Sequence, residues 1–268
     1  MKVNHIIIHI IEDKLSSYID NYSLFEFSND SKESFCFKVP PTGFPTLLFC
    51  FGNKVNFFQH NHLTNESILV GQLSKHINLH PVDGTKILGV NFKPYGFYNL
   101  TGHALKSLRN SATESTAFFP ENKIEEIETC LQESNDIAKA VELIESMLLN
   151  QSISILKNDY LDRIVDEIVR MNGLLDPYSL IEGKISTRSF QRYFSEVIGI
   201  GPKVFCQVLR HKFILQLMYG NPELKWNEMV LGGYYYDYSH FQKDFINFTD
   251  VKPFEYLNFK NPFAENLL

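Results

Sequence analysis

The sequence predicts an α+β fold, with a β-rich N-terminal domain and an all-α C-terminal domain that contains two helix–turn–helix units. Three observations lead to this prediction. Short apolar runs broken by Pro, Gly and Asn continue to about residue 110, which is typical of a β-sandwich or a small barrel. Helical spacing of apolar residues replaces them from residue 123 onwards. Finally, segment 186–205 recurs in altered form 51 residues later.

The composition is that of an ordinary globular protein, with 268 residues, 44% of them hydrophobic and 21% charged. No long apolar run is present, so we expect no membrane span. His5 and His9 interrupt the apolar N-terminus and Glu12 follows it, which favours a strand over a signal peptide. The four cysteines form no CxxC pair and have apolar neighbours, so we expect buried free thiols and a cytoplasmic location.

The charge distribution does not resemble that of a polycationic nucleic-acid binder. The formal net charge is −6, of which residues 1–150 carry −5 and residues 151–268 carry −1. Binding to nucleic acid usually depends on a basic face, so this near-neutral balance counts against such a function.

The predicted N-terminal domain covers residues 1–150 and ends in a short helical segment. Residues 35–39 alternate apolar and polar side chains, as a half-buried strand does. Residues 123–149 carry two apolar stripes at helical spacing, which predicts two helices separated near Ser134. Residues 150–158 are polar and lack a helix cap, so we interpret them as a linker to a C-terminal domain at 158–268.

The C-terminal domain is predicted to contain a succession of well-delimited helices. A helix begins after Asp159 and ends before Gly173, and Asp176 caps a short helix that starts at Pro177. The remaining predictions are a helix from Ser186 to Gly199, a long helix from Gly201 to about Gly220, a short helix near residues 226–231, a helix capped by Asp237 and extending to Phe248, and a last turn from Pro253.

The 51-residue repeat aligns two of these helices. The cap Ser186 corresponds to Asp237, and the pair Phe190 and Phe194 corresponds to Phe241 and Phe245. At 100° per residue, these aromatic side chains lie on one face of each helix. The opposite faces carry Arg188, Gln191 and Arg192 in the first copy and Ser239, Gln242 and Lys243 in the second. Such donors can bond base edges in a major groove and also phosphates, which predicts two DNA-reading helices.

These residues resemble the AraC/XylS family of bacterial transcription regulators. The resemblance covers about the last 110 residues, through "STRSFQRYFSEVIGIGPKVFCQVLR" and "YDYSHFQKDF" followed by "VKPFEYL". "GFPTLLFCFG", "LVGQL" and "LGVNFKPYGF" resemble the β-rich N-terminal domain of one branch of that family, common in Bacteroidetes.

The resemblance implies a sequence-specific transcription regulator rather than an enzyme, with no cofactor, catalytic residue or metal ligand. Its two recognition helices would enter successive major grooves about 34 Å apart. The base-reading candidates are Arg188, Gln191, Arg192, Ser239, Gln242 and Lys243, with Tyr238 flanking. The expected partners are double-stranded DNA, RNA polymerase for an activator, a small-molecule effector, and a second copy bound through the N-terminal domain.

Two departures from the family pattern bear on this interpretation. "GGYYYDYSHF" holds one extra residue between Gly233 and Asp237, which would shift the angle of the second recognition helix. The C-terminal domain is also nearly neutral, so a positive field requires its cations to cluster. The cations in question are Arg188, Arg192, Lys203, Arg210, Lys212 and Lys243.

Alternative functions start from other residues. His60, His62 and Glu66 are spaced almost as in cupin-like metal enzymes, although a solvated loop explains them as well. A protein-interaction module that has lost affinity for DNA would explain the near-neutral charge.

The aromatic residues of "NFKPYGFYNL" allow two interpretations. Phe92, Tyr95, Phe97 and Tyr98 either pack in the core after a turn or line a ligand pocket.

The two recognition helices are not expected to contribute equally. The first has two arginines where the second has Ser239 and Lys243. We therefore expect the first unit to read most of the DNA sequence.

Overall fold

A computed structural model describes residues 2–8, 12–28, 36–53, 55–57, 63–64, 67–150, 158–221 and 234–258. A β-rich N-terminal part (2–150) precedes a helical C-terminal part (158–258), which confirms the predicted α+β class. Both the N-terminal strand and the two helices separated near Ser134 are present. Residues 151–157 of the predicted linker 150–158 and the short helix near 226–231 lie outside the described residues, and the domain limits of 150 and 158 stay a prediction.

The described strands form two antiparallel sheets. One has six strands in the order β1-β2-β9-β4-β7-β10, and the other has four in the order β3-β8-β5-β6. The strands are β1 Lys2–Ile8, β2 Ile19–Ser28, β3 Phe37–Val39, β4 Thr46–Gly52, β5 Val55–Phe57, β6 Leu63–Thr64, β7 Ile68–Val70, β8 Ile77–Pro81, β9 Thr85–Phe92 and β10 Ala112–Glu114.

The central strands of the six-stranded sheet are buried on both faces, whereas the edge strand β1 is largely exposed. Alternate residues of a strand point to opposite faces, so Phe25 and Phe27 of β2 join a core shared with Phe37 and Leu79 of the smaller sheet. Leu24 of the same strand points the other way, into a core with the helices of the N-terminal part. The arrangement is a sandwich with a helical layer outside the larger sheet.

Three helices form that layer, α1 Gly96–Thr101, α2 Glu121–Thr129 and α3 Ile137–Leu149. A π-helical turn, Cys130–Ser134, extends α2 and ends at Asn135 in the left-handed region. Asp136 then caps α3, because its side chain accepts from the backbone N–H of Lys139.

The helices of the C-terminal part begin at the predicted residues, except that Asn158, in a segment predicted to lack a cap, caps the first of them by accepting from the backbone N–H of Leu161. They are α4 Asp159–Arg170, a 3-10 helix Pro177–Ile181, α5 Thr187–Tyr193 with its π-helical extension Phe194–Ile198, α6 Pro202–Gly220, α7 Tyr238–Thr249 and α8 Pro253–Asn258. With 19 residues, α6 is about 28 Å long. Its first half, with Phe205 and Leu209, packs in one core, and its second half, with Ile214 and Met218, packs in another. α6 therefore joins the two helix–turn–helix regions.

The cysteine prediction is correct only in part. All four thiols are free, and Cys50 and Cys206 are buried. Burial raises the pKa of Cys206 to about 12. Cys36, however, is exposed and Cys130 is half-buried. Cys36 directly precedes the three-residue strand β3, where only Phe37 is fully buried, so its apolar neighbours do not enclose it.

Candidate nucleic-acid interface

The first helix–turn–helix unit consists of the 3-10 helix Pro177–Ile181, a turn, and α5. Asp176 caps the 3-10 helix by accepting from the backbone N–H of Tyr178 over 3.3 Å. Ser186 Oγ accepts from the backbone N–H of Ser189 over 3.1 Å and so starts α5. Side-chain oxygens of this kind satisfy backbone donors that a helix leaves free at its N-terminus. Both helices of the unit therefore begin where local sequence chemistry predicts.

The aromatic face of α5 is buried. Phe190 and Phe194 have their ring centroids 4.8 Å apart in an edge-to-face arrangement, and Phe194 lies 5.8 Å from Phe205 of α6. Both side chains of the pair are fully buried. This packing orients α5, because the residues on its other side must then face away from the core.

The opposite face of α5 is exposed and carries the predicted readers. Arg188, Gln191 and Arg192 are all exposed. Among the described residues, neither arginine forms an ion pair within the chain. Gln191 Nε2 donates to the hydroxyl oxygen of Tyr178 over 3.0 Å, which restrains its side chain. The α5 face therefore presents two guanidinium groups and one oriented amide.

The second recognition helix, α7, repeats this construction. Asp237 accepts from the backbone N–H of His240 over 2.7 Å, in the position that Ser186 has in the first unit. The centroids of Phe241 and Phe245 are 5.6 Å apart, and Phe245 lies 5.4 Å from Tyr256. The 51-residue repeat is therefore a repeat of three-dimensional contacts. The first helix of this second unit lies outside the described residues.

Both recognition helices also end in the same way. Gly199 after the first has a φ of 90°, and Asp250 after the second has a φ of 55°. These two residues are themselves 51 positions apart. Left-handed residues of this type terminate helices because they turn the chain away from the helix axis.

The face of α7 opposite its aromatic pair has fewer exposed hydrogen-bond donors than the corresponding face of α5. Ser239 and Lys243 are exposed, but Gln242 is half-buried. Tyr238 is half-buried as well and lies 6.0 Å from the ring of Phe241. Of the four predicted residues, two are thus fully available on the surface.

The loop before Asp237 places two neighbouring tyrosines in different environments. Tyr235 is buried, with its ring 5.2 Å from that of Phe241 and with the guanidinium of Arg210 above it at 4.7 Å. The next residue, Tyr236, is 90% exposed. The cap and aromatic contacts of α7 match those of α5 despite the insertion.

The cations of the C-terminal part do not form one cluster. Arg210 is mostly buried in an ion pair with Asp244, at 2.7 Å. Lys212 is directed towards the N-terminal part, where its ammonium lies 4.7 Å from the Phe44 ring centroid, and burial lowers its pKa. Arg210 and Lys212 are therefore not available for contacts with DNA.

Lys203 stays on the exposed side, with its ammonium 5.5 Å from the ring of Tyr178. Tyr178 thus contacts both Lys203 and Gln191, a role that the sequence analysis missed. The position of Tyr178 directly after the Asp176–Pro177 helix start could have indicated this role, because it places the tyrosine ring beside α5.

The aromatic residues of "NFKPYGFYNL" pack in cores, as the packing interpretation predicted. Phe92 and Phe97 are fully buried between the larger sheet and its helices. Tyr95 and Tyr98 pack instead in the core of the first helix–turn–helix unit. A pocket lined by all four is therefore wrong, because Phe92 and Phe97 pack in one core and Tyr95 and Tyr98 in another.

A separate apolar cavity of about 80 Å³ lies between the two sheets. Its walls include Phe25, Leu48, Leu79 and Ile87 from the strands and Phe44 from the loop before β4. Cavities with apolar walls can bind apolar molecules.

The residues proposed for a cupin-like metal site, His60, His62 and Glu66, lie outside the described residues. Within the described ranges, no three His, Cys, Asp or Glu side chains are placed to hold one metal ion. None of the helices that the structure describes is long and apolar enough to cross a bilayer.

Comparison with known proteins gives a partial family match. The family model described as domain of unknown function DUF6597 matches residues 12–114. No curated protein matches the chain.

Several solved structures are similar in fold. A 1.65 Å structure of ToxT from Vibrio cholerae has a TM-score of 0.46 and 13% identity, over 88% of this chain and 97% of ToxT. ToxT from strain O395 has a TM-score of 0.45 and 15% identity, over 91% of this chain and 98% of ToxT. ToxT with a bound unsaturated fatty acid has a TM-score of 0.42 and 12% identity, over 88% and 94%. At such distances these matches assign neither ligand nor activity.

The order of elements in this chain is the more direct observation. A β-rich part precedes a helical part, and the two equivalent helices α5 and α7 flank one long helix. This order fits the AraC/XylS type of regulator that the sequence resembles.

Proposed function

We propose that this chain is a sequence-specific DNA-binding transcription regulator of the AraC/XylS type. The observation that carries the proposal is the equivalence of α5 and α7, which share cap, aromatic anchor and helix end. In both helices the anchored face is buried, and the opposite face is exposed in α5 and, at Ser239 and Lys243, in α7. Two helices of the same construction, joined by one long helix, suit two successive segments of a major groove.

The exposed side chains have the chemistry that base recognition requires. Arg188 and Arg192 can each bond the O6 and N7 atoms of guanine in a bidentate manner. Gln191 has its amide nitrogen engaged by Tyr178, which directs its oxygen as an acceptor for the amino groups of adenine or cytosine. In α7, Lys243 and Ser239 offer single contacts, which bind a phosphate or one base atom.

The N-terminal part would supply regulation. The apolar cavity between its sheets supports the proposal that it binds a small-molecule effector. Contacts with RNA polymerase and pairing with a second copy through the N-terminal part belong to the same proposal.

The proposal is tested by the double variant Arg188→Ala/Arg192→Ala. DNA ligands are first selected from random sequence with the unmodified protein. Each bidentate contact contributes about 1–3 kcal/mol of discrimination, so the double variant should lose specific binding by about 30-fold or more. Its thermal unfolding should be unchanged, because both side chains are exposed.

Two comparisons make the experiment decisive. Arg163→Ala/Arg170→Ala removes the same charge from exposed positions of α4 and should leave specific binding within a few-fold of the unmodified protein. Ser239→Ala should reduce specific binding less than Arg188→Ala does, because it removes only one weak donor. Binding that survives in the double variant, or is lost equally in the α4 control, would contradict the assignment.

A further inference from the structure

The C-terminal end of the first recognition helix contacts the N-terminal part. The backbone N–H of Leu105 donates to the carbonyl of Glu196 over 2.9 Å, and the ammonium of Lys106 lies 3.6 Å from the carboxylate of Glu196. Gly199 is packed against the same segment, because a Cβ there would lie 3.0 Å from the carbonyl oxygen of Leu105. The segment that follows α1 thus holds this end of the helix.

The C-terminal end of α7 contacts a different surface of the N-terminal part. The backbone N–H of His76 donates to the carbonyl of Phe248 over 3.1 Å, and Nδ1 of the same histidine lies 3.1 Å from that oxygen. His76 Nε2 is 3.7 Å from the carboxylate of Asp250. The ammonium of Lys38 donates to the carbonyl of Thr249 over 3.0 Å. Lys38 lies in β3, and His76 directly precedes β8, the strand that pairs with β3.

The two contact regions are equivalent within the repeat. With an offset of 51, residues 196–199 correspond to residues 247–250. The N-terminal part therefore holds the same corner of both units through two separate surfaces.

The long helix that joins the units is held between these surfaces. Gly43 lies against α6, since a Cβ there would be 2.9 Å from Cδ2 of Leu209. Its neighbour Phe44 lies under the ammonium of Lys212. Three described elements of the C-terminal part, the π-helical end of α5, α6 and the end of α7, are thus in contact with the N-terminal part.

These contacts leave the reading faces accessible. Arg188 and Arg192 on α5 and Ser239 and Lys243 on α7 are exposed while the contacts are formed. The N-terminal part therefore holds the recognition helices without covering the side chains that would enter the grooves.

We propose that the N-terminal part is a brace that sets the relative position of the two recognition helices. On this proposal, which rests on the proposed function, Lys38 and His76 determine which spacing between two DNA half-sites the protein accepts. They act as positioning residues, because they contact the end of α7 and lie away from its reading face.

The physical reason lies in the geometry of DNA. Each added base pair moves the second half-site by about 3.4 Å and rotates it by about 35° around the duplex axis. A single connecting helix bends gently, so α6 alone would let the second unit follow some of this displacement. An attachment at the far corner of each unit removes that freedom.

The test uses the full chain and duplexes in which the selected half-sites are separated by the selected spacing or by one to three additional base pairs. The unmodified protein should lose at least 10-fold in affinity at two added base pairs. Lys38→Ala/His76→Ala should lose less than 3-fold over the same change, with unaltered discrimination against base substitutions within each half-site. The matched control, Lys75→Ala/His80→Ala, removes the same residue types from neighbouring positions and should behave as the unmodified protein does.

The outcomes separate the brace from the proposed function. An unmodified protein without any sequence-selective binding would overturn the proposed function itself. Selective binding with the same spacing profile in Lys38→Ala/His76→Ala and the unmodified protein would overturn the brace alone. Because the double alanine variant can lose stability, Lys38→Met, which keeps the aliphatic part of the side chain, is measured in parallel. At two added base pairs, the loss of affinity in Lys38→Met should be about 2-fold smaller than in the unmodified protein. An equal loss in the two proteins would also contradict the brace.

Discussion

His211 is a fully buried histidine at the middle of α6, between the two helix–turn–helix cores. Its ring stacks on Phe248 at 4.6 Å and contacts Phe245 edge-to-face at 5.3 Å. Neither ring nitrogen has a hydrogen-bond partner among the described residues. Burial lowers the pKa of His211 from 6.5 to about 3. The side chain therefore acts as a flat apolar group that joins α6 to α7.

This environment predicts a pH dependence of stability. Above pH 6.5 His211 is neutral in the folded and the unfolded chain. As pH falls below 6.5, the unfolded chain takes up a proton that the folded chain does not, so stability falls until the folded pKa of about 3. Between pH 7 and pH 5 the loss from this residue is about 2 kcal/mol, at about 1.4 kcal/mol per pH unit.

The measurement is chemical unfolding at the two pH values for the unmodified chain and His211→Leu. At pH 7 the variant should remain within about 1 kcal/mol, because the lost ring stacking is offset by the removal of two unsatisfied nitrogens. The difference in stability between pH 7 and pH 5 should shrink by about 2 kcal/mol. An identical pH dependence in both proteins would contradict this account of His211.

At the scale of elements, the start of α7 depends on one carboxylate. Asp237 Oδ1 accepts from the backbone N–H of His240, and a negative charge at a helix N-terminus also interacts favourably with the helix dipole. Asp237→Ala should destabilise the region around α7 by about 1 kcal/mol, as the loss of such caps does. Asp237→Asn keeps the oxygen acceptor and should cost only a few tenths of a kcal/mol.

Amide hydrogen exchange in the first turn of α7 measures both effects locally. Faster exchange in the alanine variant than in the asparagine variant is the expected result. Equal exchange in the two would mean that the cap does not start this helix.

The elements also show how far local sequence chemistry reaches. The caps at Ser186, Asp237 and Asp176 and the helix end at Gly199 were predicted correctly, because the groups involved lie within five residues of one another. The burial predicted for Cys36 was wrong, because the exposure of a side chain depends on which segments of the chain cover a short strand.

At the scale of the whole molecule, the surface charges determine how DNA binding responds to salt. Of the six predicted cations, Arg210 and Lys212 are engaged within the chain, and Arg188, Arg192, Lys203 and Lys243 are exposed. Each phosphate contact contributes about −0.9 to the slope of log affinity against log salt concentration. The two lysines alone give a slope of about −2 for specific DNA, and about −4 is expected if both arginines contact phosphates as well as bases.

Titrations at several salt concentrations measure this slope. In the variant Arg188→Ala/Arg192→Ala, each replaced arginine that contacts a phosphate in the unmodified protein should make the slope shallower by about 1. A replaced arginine that contacts only bases should leave the slope unchanged. A slope near zero for the unmodified protein would instead favour the protein-interaction module that the near-neutral charge allows.

The sequence by itself determined the local structure and the pattern of the candidate site. Helix periodicity, caps and the 51-residue offset are relations between residues close together in the chain or repeated at a fixed interval, and both kinds can be read without coordinates. They sufficed to place Arg188 and Arg192 opposite Phe190 and Phe194.

Only the tertiary structure decided which of these groups remain available and what holds them. His76 and Phe248 are 172 residues apart, and Lys106 and Glu196 come from different parts of the chain. Such contacts depend on how whole surfaces fit together, and they leave no spacing in the sequence. The same holds for Arg210, whose role changed from a possible DNA contact to an internal ion pair once its distance to Asp244 was known.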